Sequence, residues 1–121
     1  MLKVLLVDDE PFIVQGLSAL IDWEKEGFEI VGTAGNGSEA VEFLKSNPVD
    51  LILADIKMPV MNGLEFLKYI RETHLSEAFF VILSGYGDFT YAKEAIKWQC
   101  TDYILKPIQK SQLLALLSKV K

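Results

Sequence analysis

Five side chains in this sequence are of the types that handle phosphate and divalent metal: Asp8, Asp9, Asp55, Ser84 and Lys106. Asp55 closes the apolar run Leu51-Ile52-Leu53-Ala54, which reads as a strand buried on both faces. Met58-Pro59 then stops any extension. Asp8-Asp9 follows a second such run, Val4 to Val7; Ser84 follows Phe79 to Leu83, and Lys106 follows Tyr103 to Leu105. In an open parallel sheet, ligands bind beyond the carboxyl ends of the strands. If the first, third, fourth and fifth strands are neighbours, these side chains converge there. Three crowded carboxylates raise one another's pKa unless a cation intervenes. Lys106 neutralises part of that charge, and a hard divalent ion with oxygen ligands, Mg²⁺ for preference, answers the remainder. The chemistry such a site suits is phosphoryl transfer. A carboxylate attacks phosphorus to give an aspartyl-phosphate. The ammonium and the metal spread charge over the equatorial oxygens, and the Ser84 hydroxyl donates to one of them.

The remaining elements must bring those strand ends together. Pro11 suits the first turn of a helix, and Ile13, Leu17, Leu20 and Ile21 recur at the spacing of an inward face. A polar connection holding Trp23 leads to a strand over Phe28 to Ala34, near a sheet edge. Asn36 with Glu39 three residues on starts a second helix, with Ala40, Val41 and Leu44 inward and Asn47-Pro48 at its end. Gly63, Phe66, Leu67 and Ile70 mark a third helix, running to about His74. Asp88 caps a fourth, with Ala92, Ala95 and Ile96 inward. Leu113, Leu116, Leu117 and Val120 stripe a fifth. Strand and helix alternate with short connections and no repeat or linker, which means a parallel sheet with helices on both faces. The expectation is one α/β domain of (βα)5 type, doubly wound, over residues 1-121.

With 121 residues, half of them hydrophobic, the chain can bury a sizeable core without staples. A net charge of −5, from 17 acidic and 12 basic residues, argues against direct nucleic-acid binding. No apolar run approaches the ~18 residues of a membrane span. Asp8-Asp9-Glu10 interrupts the N-terminal run too early for a signal peptide, and a single cysteine, Cys100, excludes an internal disulfide. A cytoplasmic location is expected. Cys100 reads as a buried, inert thiol, His74 as an exposed residue without a partner, and Trp23 and Trp98 as packing.

At the residues singled out above the sequence resembles the receiver domain of bacterial two-component response regulators. The likeness rests on Val7-Asp8-Asp9-Glu10, Asp55-Ile56-Lys57-Met58-Pro59, Asn62-Gly63, Ser84-Gly85 and Tyr103-Ile104-Leu105-Lys106-Pro107, in order and at similar spacing. It implies a flavodoxin-like strand order 2-1-3-4-5, with Asp55 as acceptor of a phosphoryl group from a sensor histidine kinase. It also implies Mg²⁺ held by Asp9, Asp55 and the Lys57 carbonyl, with Asp8 acting directly or through water. Lys106 becomes the phosphate-contacting lysine, Ser84 and Tyr103 the switch pair, and the bond to Pro107 a cis peptide. Asp22-Trp23-Glu24, Gly27-Phe28, Leu83 to Phe89, Tyr91-Ala92 and Lys106-Pro107-Ile108 resemble the subgroup with AraC-type DNA-binding output domains. No output domain is expected within these residues, and a homodimer on phosphorylation is a family-level expectation.

Each reading has a plainer rival. The acids could be solvated helix caps, Ser84 a turn residue beside Gly85, Lys106 a surface lysine and Tyr103 a packing residue. A Mg²⁺-dependent phosphohydrolase with an Asp nucleophile is the functional alternative. Such enzymes usually place a second acid two residues after the nucleophile, where this chain has Lys57. A flavin binder is disfavoured because Asp8-Asp9-Glu10 would repel a phosphate. Lys57 and Tyr86 should flank the path of a hydrolytic water and slow loss of the phosphoryl group. Gln99 stands where related receivers often have glycine, so the fourth helix is expected to end longer or looser than usual.

Overall fold

The computed structural model describes residues 1–85 and 92–121, with the backbone alone for Ala92 and Lys93. Its elements alternate as read: β1 (Leu2–Val7), α1 (Pro11–Leu20), β2 (Phe28–Ala34), α2 (Gly37–Ser46), β3 (Leu51–Asp55), α3 (Gly63–Glu72), β4 (Phe79–Ser84), α4 (Ala92–Lys97), β5 (Asp102–Leu105) and α5 (Lys110–Val120). The strands pair in parallel in the order β2-β1-β3-β4-β5, so the first, third, fourth and fifth are consecutive neighbours. Asp55 lies in register with Leu83, and Ser84 with Leu105, which aligns the acid, the hydroxyl and the lysine along one sheet edge.

Apolar strand runs without polar alternation require cover on both faces, and the core divides accordingly. Val4, Leu6, Leu51, Leu53, Val81 and Leu83 face α1 and α5, packing with Leu17, Leu113 and Leu117. Their chain neighbours Leu5, Val7, Ile52, Ala54, Phe80 and Ile82 face α2 and α3, packing with Ala40, Leu44, Phe66 and Ile70. Burial of each such Leu, Ile or Phe is worth roughly 1.5–3 kcal/mol, offset by the entropy of ordering the chain. Trp23 closes the lower end of the first layer, buried, with its indole N–H donating to the Leu17 carbonyl at 3.0 Å.

The helix starts follow local chemistry. The Asn36 side chain accepts from the Glu39 amide at 2.9 Å, and the Glu39 carboxylate accepts from Gly35 and the Asn36 side chain. Asn62 and Glu65 form the full reciprocal box at the start of α3. Four expectations are corrected. Ile96 does not face inward: among the described side chains of α4 the buried one is Ala95, and Ile96 is 74% exposed. His74 is exposed but has a partner, its Nδ1 lying 3.5 Å from Glu77 Oε1.

The third correction concerns the end of α4, which is neither long nor loose. Gln99 adopts the left-handed backbone at φ 64°, and the Cys100 amide donates back to Ala95 at 3.0 Å. Arg71, half-buried on α3, donates to the carbonyls of Trp98 (3.3 Å), Gln99 (3.2 Å), Ser76 (2.9 Å) and Ala78 (2.7 Å). One guanidinium thus closes the turn after α4 against the entry to β4. Cys100 is half-buried rather than buried, its thiol donating to the Asp102 carbonyl, and burial pushes its pKa up.

Candidate functional site

The site is assembled from four strand ends, those of β1, β3, β4 and β5. Asp8, just past β1, is fixed at both backbone and side chain. Its amide donates to Ala34 at 2.9 Å and its carboxylate accepts the Glu10 amide at 2.9 Å. Asp55 ends β3, and the next amide, Ile56, donates to Leu83 on β4 at 3.2 Å. Asp8 and Asp55 are both buried, which removes the plain reading of them as solvated caps; Asp9 is exposed. Lys106 follows β5, its amide held by the Ser84 carbonyl at 2.7 Å. Its ammonium reaches between the two buried acids, 3.1 Å from Asp8 Oδ2 and 3.2 Å from Asp55 Oδ2. The peptide bond that follows it, to Pro107, is cis.

The electrostatics follow from that crowding. Burial, then the neighbouring Asp8 charge, raises the Asp55 pKa against the opposing pull of Lys106. Burial alone would lower the Lys106 pKa, but the attraction of Asp55 and Asp8 outweighs it and holds the ammonium above its ordinary value. One cation thus serves two carboxylates, and Asp9 adds a third negative charge. Oxygen atoms of Asp8, Asp9 and Asp55 lie within 4.8 Å of one another, the scale of a single ion's ligand shell. An all-oxygen, triply anionic donor set suits a hard cation such as Mg²⁺, so the residues fit the expected ion.

Ser84 supplies the other observation that points to a missing partner. Its hydroxyl is fully buried and makes no hydrogen bond among the described residues. Buried hydroxyls are nearly always paired, and an unpaired one costs about 1–3 kcal/mol. A phosphoryl oxygen arriving at Asp55 would satisfy it.

The loop after Asp55 lines the approach. Lys57, Met58, Pro59 and Asn62, with Ile56 and Asp9, surround an open cleft. Gly63 explains how α3 sits so near the acid, a point the motif match left without a physical reason. Its amide donates to Ile56 at 3.0 Å, and a Cβ there would collide with the Asp55 carbonyl oxygen. Gly63→Ala is expected to lower folding stability by about 2 kcal/mol through overpacking, measured by chemical denaturation. A loss under about 0.5 kcal/mol, the size of an ordinary surface change, would mean the helix shifts freely.

Tyr103 lies half-buried on β5, packed against the α2–α3 side of the core and lining a groove with Asp102, Leu105, Gln112 and Lys119. Tyr86 and Asp88 lie outside the described residues. Sequence reasoning missed Arg71, whose acceptors are backbone carbonyls without a sequence signature, and it missed Val60, which stands exposed on a left-handed backbone at φ 68° in the loop after Asp55. It also passed over Phe12, which lines an apolar groove with Leu17, Pro107 and Ile108 beside Lys106.

Comparison with known proteins agrees with this geometry. Residues 4–118 match the family model described as the response regulator receiver domain. The chain is 40% identical over 120 residues to the transcriptional regulatory protein YesN of Bacillus subtilis, covering 99% of this chain and 32% of that one. It is 38% identical to the transcriptional regulatory protein HptR of Staphylococcus aureus, covering 99% and 46%. The chain therefore spans about a third to a half of these relatives' length. Among solved structures it resembles the REC domain of the response regulator AraT from Geobacillus stearothermophilus, with a TM-score of 0.89, 39% identity and coverage of 98% and 92%. A two-component transcriptional regulator AraC from Clostridium phytofermentans gives a TM-score of 0.87 at 32% identity, covering 99% and 92%.

Proposed function

The chain belongs to the response regulator receiver domain family, and on that premise we propose that it is a phosphorylation-driven switch with Asp55 as the acceptor. A sensor kinase's phosphohistidine is the donor: its P–N bond breaks as the Asp55 O–P bond forms, the electron pair leaving with the imidazole. The observation that carries this reading is the Lys106 ammonium held within 3.2 Å of both Asp8 and Asp55. That ammonium is already placed to meet the charge of a phosphoryl group joined to Asp55. Asp8, Asp9, Asp55 and the Lys57 carbonyl would hold Mg²⁺, which supplies further neutralisation of phosphoryl charge when bound.

Ser84 then gains its missing partner, and Tyr103 turns toward the space this opens, reshaping the surface of α4, β5 and α5. Moving such an equilibrium from 1:99 to 99:1 needs about 5.5 kcal/mol, on the scale of a few charge-assisted hydrogen bonds. The relatives' greater length and their names as transcriptional regulators, with the AraC of the Clostridium phytofermentans structure, support relay to an AraC-type DNA-binding output domain; homodimerisation on phosphorylation and a cytoplasmic setting are parts of the proposal that rest on the family resemblance alone. No described helix is long and apolar enough to cross a membrane.

The test is incubation with Mg²⁺ and phosphoramidate, followed by intact-mass measurement. The wild type is expected to retain one phosphate, and Asp55→Asn or added chelator to retain none. Continuous hydrolysis of phosphate esters without a retained phosphate would instead favour the phosphohydrolase. The same assay reads phosphoryl lifetime: Lys57→Ala with Tyr86→Ala is expected to shorten it several-fold, and an unchanged half-life would remove those two residues from the hydrolytic path.

A further inference from the structure

The turn between β2 and α2 carries none of the three acids, yet it is bonded to both loops that do. At its start the Ala34 carbonyl accepts the Asp8 amide at 2.9 Å. At its end the Gly37 amide donates to the Met61 carbonyl at 2.9 Å, in the loop after Asp55. Residues 34–37 are the whole of that bridge. It is held stiff by the reciprocal bonds of Asn36 and Glu39 at the start of α2. The Met61–Asn62 peptide that it grips is also fixed at its other end, where the Asn62 amide donates to Glu65 Oε1 at 3.0 Å. With the Gly63 amide tied to Ile56 at 3.0 Å, the loop that carries Lys57 is closed at its base.

Gly37 shows how closely this contact is set. It is buried as the first residue of α2, and its φ lies outside the left-handed region, so no turn geometry calls for glycine. What calls for it is space. A Cβ would stand 2.7 Å from Met61 Cγ, 2.8 Å from the Met61 carbonyl oxygen and 2.9 Å from Phe66 Cβ. The carbonyl is backbone, so the loop itself would have to give way. Oxygens of Asp8, Asp9 and Asp55 lie within 4.8 Å of one another, and that spacing depends on how far apart the two loops are held. Resting on the receiver reading above, we propose that Gly37 is a positioning residue for Mg²⁺: through the Met61 carbonyl it sets the separation of the acid-bearing loops, and so the affinity of the site for the ion.

Mg²⁺ affinity can be read without any phosphoryl transfer, from the rise of the urea midpoint with MgCl₂ at constant ionic strength. Phosphoramidate uptake is then followed at saturating Mg²⁺. Gly37→Ala should bind Mg²⁺ about tenfold more weakly, the lower end of the cost of disturbing the surroundings of a metal's ligands. Once the ion saturates, its uptake should lie within about twofold of wild type. Glu65→Ala changes an exposed side chain and introduces no clash. It frees the other end of the same peptide and should weaken Mg²⁺ about threefold. An affinity within about 1.5-fold of wild type in Gly37→Ala overturns the proposal; should that variant fail to fold, the same result in Glu65→Ala overturns it. Uptake about tenfold slower at saturating Mg²⁺ also overturns it, because Asp55 itself would then have been displaced. A wild type whose midpoint is indifferent to Mg²⁺ overturns the proposal, and if it also takes up no phosphate the receiver reading falls with it.

Discussion

Lys106→Met is expected to slow phosphate uptake by Asp55 about 100-fold, the usual scale for removing one positioned charge from a developing anion. The substitution keeps the length of the side chain and removes its charge, so the packing along the stem survives. Its second effect is on the metal-free fold. Asp8 and Asp55 would face each other across the space the ammonium occupies, at 2% and 8% side-chain exposure. Leaving buried charge uncompensated costs about 3–5 kcal/mol when complete, and partial solvent access here brings the expected loss to about 2 kcal/mol. The pH dependence has a definite sign. Asp55 already has a raised pKa from burial and from Asp8, and Lys106 is what opposes the rise. Without the lysine the folded state holds that proton more tightly still. A group whose folded pKa exceeds its unfolded value makes stability fall as pH rises between the two values. The variant should therefore lose stability more steeply than wild type from acid toward neutral pH, and Mg²⁺ should recover part of it. Equal denaturation midpoints at acid and neutral pH, or uptake within about threefold of wild type, would show that Lys106 is not the compensating cation.

Arg71→Met should produce the largest loss of stability away from the site. The guanidinium serves four carbonyls on two turns, and methionine fills the stem's volume while satisfying none of them. With part of this cluster reachable by water, the expected cost is about 3 kcal/mol, or roughly 12 °C in Tm for a domain of this size. Arg71→Lys should recover little, because a point ammonium cannot span acceptors that a planar fork reaches together. Gln99→Gly should restore part of the loss in the Arg71→Met background, since glycine holds the left-handed turn without help. Phosphate uptake at Asp55 should be spared, because this cluster lies at the opposite sheet edge, where Arg71 binds Ala78 just before β4. A fall of under about 1 kcal/mol would mean that water replaces the guanidinium.

What the sequence made legible follows from which interactions leave a pattern in it. Unbroken apolar runs mark doubly covered strands, and the polar residues closing them fall at the sheet edge by the geometry of the fold. Asp8, Asp55, Ser84 and Lys106 could therefore be placed in advance. Asn36 announced its helix because a side-chain cap has a fixed spacing; the same spacing from Asn62 to Glu65 was there to be read and was passed over. Arg71 left no such trace, since its partners are carbonyls any residue could supply. Gln99 misled for the same reason: its intrinsic cost was read correctly, and the external donor that offsets it was invisible. Ile96 fitted a helical stripe, but among the described side chains of α4 only Ala95 is buried, and a stripe buries only what a neighbour covers. Val60 was passed over because its left-handed backbone, at φ 68°, is one that propensity tells a branched residue to avoid.

The central claim is that Asp55 carries the phosphoryl group in a site completed by Asp8, Asp9, Ser84 and Lys106. It is tested most directly by trapping the product chemically. Protein treated with phosphoramidate and Mg²⁺ is reduced with borohydride, which converts an aspartyl-phosphate to homoserine, and its peptides are sequenced by mass spectrometry. The account predicts homoserine at position 55 alone, and none when Mg²⁺ is chelated. Homoserine at position 8 or 9, or a phosphate that resists reduction because it sits on another kind of side chain, would contradict it.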